Sequence, residues 1–144
     1  RRVLFRSRYR MNYITYEKDI AQSKSFYETF KACIQPKQCY DNIKRIIFDT
    51  KAHPYQIAFG YMSSGTVDNL YFRHAFFLSP EGKVIDPTIP EKEKNYYVFA
   101  AINCTDYLKY LLREKRADLT MVLMDKDRQM QAWLMSNKNI ICIG

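Results

Sequence analysis

Four residues, Ser79-Pro80-Glu81-Gly82, constrain this chain more than any other stretch. Serine first, proline second and glycine fourth are the preferred residues of a type I turn. Glycine also supplies the left-handed conformation that a following bulge requires. The turn stands between "LYFRHAFFL" (70–78) and "KVIDPT" (83–88), two runs rich in strand-forming side chains. Together they predict a hairpin in which Ser79 pairs with Lys83, Leu78 faces Val84, Phe77 faces Ile85 and Phe76 faces Asp86. In that register His74 and Asp86 share one face as diagonal neighbours, about 7–8 Å apart between α carbons. A slip of one residue would send them to opposite faces.

Around the hairpin the pattern changes period. Ile20, Phe26, Tyr27, Phe30 and Ile34 fall near helical spacing and predict a helix within 16–34, closed off by Pro36. A second helix is predicted over 38–50, with Ile43, Ile46 and Ile47 as a narrow apolar stripe. Cys39 lies one turn before Ile43, in the first turn and on the core-facing side. "YQIAFGYM" (55–62) reads as a strand, and "YYVFA" (96–100) as a short fourth one. A helix follows over 105–116, while 119–135 reads as a helix whose first half could be a strand. Helices, then an antiparallel meander, then helices define the α+β class.

With 144 residues and no internal repeat or Gly/Ser/Pro-rich linker, residues 11–144 are expected to form a single domain. No apolar run approaches the roughly 20 residues that span a bilayer, and no signal-peptide core opens the chain. A cytoplasmic protein with reduced thiols is expected. Cys33, Cys39, Cys104 and Cys142 show no C-x-x-C spacing, and with two distant histidines they do not make a zinc motif. No metal or organic cofactor is implied. The net charge of +8 invites a nucleic-acid reading, but five arginines within residues 1–10 supply most of it and leave +3 for the remainder. That tail opens with "RRVLFRS", which resembles the translation of a sequencing adapter, so either Met11 is the start of the natural chain or the adapter junction has replaced genuine N-terminal sequence.

An aspartate beside a histidine fixes the tautomer of the ring and stabilises its charged form. His74 is then a good base for a nucleophile, and Cys39 is the candidate. At the start of a helix its sulfur faces backbone amides and the positive end of the helix dipole, which favour a thiolate. The same amides could hold an oxyanion.

"QCYDNIKRI", "YQIAFGYM" and "RHAFFLSPEGKVIDPT", in that order, resemble the core of the transglutaminase-like, papain-related cysteine enzymes, in the form of a compact bacterial or phage member. Their pattern has Gln-Cys-aromatic opening a helix, a strand ending near glycine, His-Ala-Trp on the next strand, and Asp-Pro-Thr after a turn. The resemblance spans residues 38–88. It implies a papain/transglutaminase-like core with N-terminal helices packed on an antiparallel sheet. It also implies Cys39 as nucleophile, His74 as base and Asp86 as the orienting acid, with Gln38, Tyr40 and Phe76 at the substrate. The substrate would be a peptide or protein amide, and the reaction that of a peptidase, an amidase or deamidase, or a transglutaminase. Two positions depart from the pattern: Phe76 stands where tryptophan is frequent, and Lys37 where glycine is.

Each of these residues also has a plainer reading. Cys39 alone reads as a small core residue, His74 as a buried histidine bonded to backbone, and Asp86 as a turn initiator. On that reading the chain is a non-catalytic binding module of the same fold. A nucleic-acid binder using the basic tail is a third possibility.

Overall fold

The computed structural model describes residues 13–114 and 123–144. The basic tail lies outside the described residues, as does segment 115–122, which holds the end of the helix predicted over 105–116 and the start of the stretch read as helix or strand.

The first helix, α1 (Ile20–Phe30), starts four residues later than apolar spacing predicts. Asp19 caps it, accepting a hydrogen bond from the Gln22 amide at 2.9 Å. The residues before it run extended, because Tyr16 bridges to Tyr96 and Lys18 to Val84. Sheet hydrogen bonds therefore claim backbone that the spacing alone assigned to a helix. A 3-10 turn (Lys31–Cys33) leads to α2 (Cys39–Ile46), which with the adjacent Ile47 buries the expected isoleucine stripe.

Next come β1 (Gln56–Ser63), β2 (Leu70–Leu78), β3 (Val84–Ile85) and β4 (Tyr96–Asn103), ordered β3-β2-β1-β4 in one curled, largely antiparallel sheet. Helices α3 (Cys104–Glu114) and α4 (Met124–Lys138) follow. The hairpin has the register its turn dictates. Phe77 is opposite Ile85 and Leu78 opposite Val84, the Ser79 amide donates to the Lys83 carbonyl at 2.9 Å, and Gly82 takes φ +79°.

One strand was not foreseen. β5 (Ile141–Ile143) lies parallel to β2, pairing Leu70 with Ile141 and Phe72 with Ile143. Because β1 occupies the other side of β2, strands β3 and β5 share one edge. Residues 73–76 have no strand partner there among the described residues, and α2 packs on β2. His74 therefore sits at an interruption in the sheet edge.

The larger core lies between one sheet face and the helices, with Phe26, Ile46, Phe59, Phe77, Tyr107 and Leu134 among its members. On the opposite face a smaller cluster gathers Ala58, Met62, Phe76, Leu78, Val84 and Tyr96, with Tyr16 and Ile89 packed against it. Gly60 permits close approach of β1 and β4, since a β-carbon there would fall 1.7 Å from the Tyr97 carbonyl oxygen. No helix among the described residues is long and apolar enough to cross a membrane.

Candidate active site

The hairpin register places His74 and Asp86 on one face, and their side chains meet. His74 Nε2 lies 2.9 Å from Asp86 Oδ2, with the histidine 5% exposed and the aspartate fully buried. Burial alone would neutralise either group, so each needs the other's charge. For His74, burial works to lower the pKa, but the Asp86 carboxylate, followed by a hydrogen bond and the charge of Cys39, lifts it to about 10. For Asp86, burial pushes upward and is overcome by His74, by the Tyr96 hydroxyl and by Lys18, which together hold the carboxyl below its usual range.

Cys39, half-buried at the start of α2, is thus close enough to act on the imidazole ring. Since Nε2 faces Asp86, Nδ1 is the ring nitrogen left for the sulfur. Lys37 has the left-handed φ of +61°, a conformation that favours glycine. The Gln38 side chain makes no capping hydrogen bond to α2, so it does not claim the amides of the first turn.

Both carboxylate oxygens of Asp86 and its backbone amide are held. Oδ2 accepts the Tyr96 hydroxyl at 2.7 Å as well as His74. Oδ1 accepts the amides of Thr88 and Ile89 at 3.1 and 3.2 Å. The Asp86 amide donates to Ser23 Oγ at 2.9 Å, whose own proton goes to the Asp19 carbonyl. Lys18 donates to the carbonyls of Ile89 and Lys92 and lies over the Tyr96 ring. The segment after Asp86 is therefore tied down from both sides.

Asn42, one turn after Cys39 and fully buried, joins the two halves of the site. Its Nδ2 donates to the Gln35 carbonyl at 2.8 Å and to Thr88 Oγ1 at 3.0 Å. Its Oδ1 accepts from the Gln35 amide and from Arg45 Nη2, each at 2.8 Å. The loop before the cysteine and the loop after the aspartate are locked to one carboxamide.

The residues expected at the substrate occupy different environments. Gln38 is exposed. Tyr40 is half-buried and stacks on Phe59 at 5.9 Å between ring centroids. Phe76 is fully buried and stacks on His74 at 5.9 Å. A side chain without exposed surface cannot touch substrate, so Phe76 instead braces the imidazole.

Sequence reasoning did not single out Tyr96, Asn42, Ser23, Lys18 or Thr88. It also missed a second buried polar cluster, in which Asp127 receives hydrogen bonds from Arg73 and Tyr61, and Gln131 donates to the Tyr61 hydroxyl at 2.6 Å. Burial, followed by Asp127, pushes the Tyr61 phenol well above its usual range. All four cysteines are free thiols. Among the described residues no group of His, Cys, Asp or Glu is placed to hold a metal ion.

Compared with protein-family models, with curated proteins and with solved structures, the chain has no significant match in any of the three. What the fold and site define is thus an α+β protein with a buried histidine–aspartate pair beside a helix-terminal cysteine.

Proposed function

We propose that the chain is a cysteine-dependent acyl-transfer enzyme acting on amides, with Cys39 as nucleophile, His74 as proton carrier and Asp86 as the group that orients and charges the ring. The observation that carries this reading is one imidazole that meets a buried carboxylate at 2.9 Å and also interacts with Cys39. A merely structural histidine needs no thiol in that position.

In this mechanism the Cys39 sulfur attacks the amide carbonyl carbon, and the oxyanion forms over the first-turn amides of α2. The carbon–nitrogen bond breaks as the imidazolium hands its proton to the departing amine, leaving a thioester on Cys39 and a neutral ring. Water or a second amine then attacks the thioester carbon and gives its proton to His74. The carbon–sulfur bond breaks and the thiolate returns. Water makes the reaction a hydrolysis, as in a peptidase or deamidase, and an amine makes it a transamidation. Neither route calls on a metal or organic cofactor.

The test is acylation by p-nitrophenyl acetate, followed by intact mass and peptide mapping. Cys33, also half-buried, is the internal control of similar exposure. Acetyl should accumulate on Cys39 ahead of Cys33, and His74→Gln should slow it by roughly 10²–10⁴-fold. Equal labelling of the two thiols would favour the non-catalytic module, with His74 and Asp86 as a buried clamp.

A further inference from the structure

A groove of about 630 Å³ opens beside the site, lined in part by Tyr27, Ile34, Pro36, Thr88, Ile89 and Pro90. Its volume falls within the range of about 300–1,000 Å³ typical of ligand sites, and it would take more than one side chain. Its walls are the two segments that carry the candidate chemistry. Ile34 and Pro36 belong to the loop that delivers Cys39. Thr88, Ile89 and Pro90 follow Asp86 directly.

The walls are fixed in place before any ligand arrives. The amides of Thr88 and Ile89 are held by Asp86 Oδ1, and the carbonyls of Ile89 and Lys92 by Lys18. Asn42 clamps Gln35 on one wall to Thr88 on the other. Helix α1 contributes Tyr27, one of the few large aromatic side chains that remain exposed among the described residues, at 36%. The charges at the rim balance, Lys24 and Lys92 against Glu28 and Glu91, so the groove selects neither sign of ligand.

We infer that this groove holds the apolar side chains of an extended peptide flanking the reacting amide, and so sets the sequence preference of the enzyme. The inference rests on the acyl-transfer reading for the word "reacting", but the binding site can be tested without turnover. A peptide fits better than a charged metabolite because the groove is mainly apolar with balanced charges in its lining, and because it lies between the loop before the nucleophile and the loop after the acid.

The experiment uses the full chain carrying Cys39→Ala, with two fluorescein-labelled hexapeptides. One has Phe and Leu at its centre, and the other has Ser and Asn there. Anisotropy should show the apolar peptide binding and the polar one not. Amide shifts in a ¹⁵N spectrum should concentrate at Lys24, Tyr27, Ile34 and Thr88–Lys92. Replacing Tyr27 with Glu, at a surface position that does not endanger the fold, should weaken the apolar peptide by roughly tenfold, the effect of one lost apolar anchor. Equal affinity for both peptides, shifts elsewhere, or indifference to Tyr27→Glu would each overturn the assignment. Acylation of wild-type Cys39 by the small ester is a separate measurement. If it fails while the apolar peptide still maps to the groove, the acyl-transfer reading falls and the binding site stands.

Discussion

The Tyr96 hydroxyl donates to Asp86 Oδ2 across 2.7 Å, on the same oxygen that meets His74 Nε2. Tyr96 is fully buried at the start of β4, two strands away from β2 across β1. One carboxylate oxygen thus joins three separate parts of the fold. Tyr96→Phe removes this donor while keeping the ring. Loss of a buried hydrogen bond to a charged group should cost about 1.5–3 kcal/mol, read by urea denaturation. The same change should raise the Asp86 titration midpoint from its depressed value, followed by NMR of the carboxyl carbon. An unchanged midpoint would show that Tyr96 packs without tuning the pair.

The pair also fixes how stability responds to pH. His74 has a folded pKa raised to about 10, so its contribution is complete below its unfolded value of about 6.5 and disappears as pH climbs through about 10. Asp86 is depressed, so its contribution is complete above about 3.9 and is lost as pH falls through the lower folded value. Both contributions are in force together between the two folded values, and the histidine's shrinks from about pH 6.5 upward. Unfolding midpoints measured from about pH 6 to 11 should fall steadily between about pH 6.5 and about 10 in the wild type, and much less in Asp86→Asn. Parallel profiles for the two proteins would contradict the charged pair.

Asn42→Ala should unlock the cysteine loop from the aspartate loop. Four hydrogen bonds to a buried carboxamide are lost, and a destabilisation of about 2–3 kcal/mol is expected because several partners are left unsatisfied. The change should also erode the difference in alkylation rate between Cys39 and Cys33. Full retention of that difference would mean α2 holds the sulfur without help.

Asp127→Ala offers the contrasting case. Asp127 is 4% exposed and pairs with Arg73, so removing it leaves a partly buried guanidinium and the Tyr61 phenol without their acceptor. A loss of about 3–5 kcal/mol is expected in chemical denaturation. Cys39 alkylation in the folded protein should be preserved, since this cluster is separate from the His74–Asp86 pair. A parallel loss of thiol reactivity would link the two clusters.

The hairpin was legible in the sequence because every determinant is local. Ser79, Pro80 and Gly82 specify the turn, the turn specifies the register, and the register puts His74 and Asp86 on one side. The isoleucine stripe of α2 was legible for the same reason. Tyr96 was not, because a tyrosine in an apolar strand gives no sign of what its hydroxyl reaches. Asp127 contacts residues 54 and 66 positions away, a pairing that only the assembled fold specifies. β5 is three residues long, too short to show alternation, and it pairs in parallel without a hairpin turn to announce it. The start of α1 was misjudged because sheet bridges at Tyr16 and Lys18 outcompete a helical pattern that is genuinely present.

The parallel pairing of β5 with β2 bears on the order in which the molecule can assemble. The strand that bears His74 acquires its last neighbour from residues 141–143, more than a hundred positions after Cys39 has been made. On the ribosome, those residues are still inside the exit tunnel when the helix bearing the thiol is already outside. The sheet beneath the imidazole is therefore completed long after that helix is made, and a nascent chain carries its sulfur before it has a complete strand to work against.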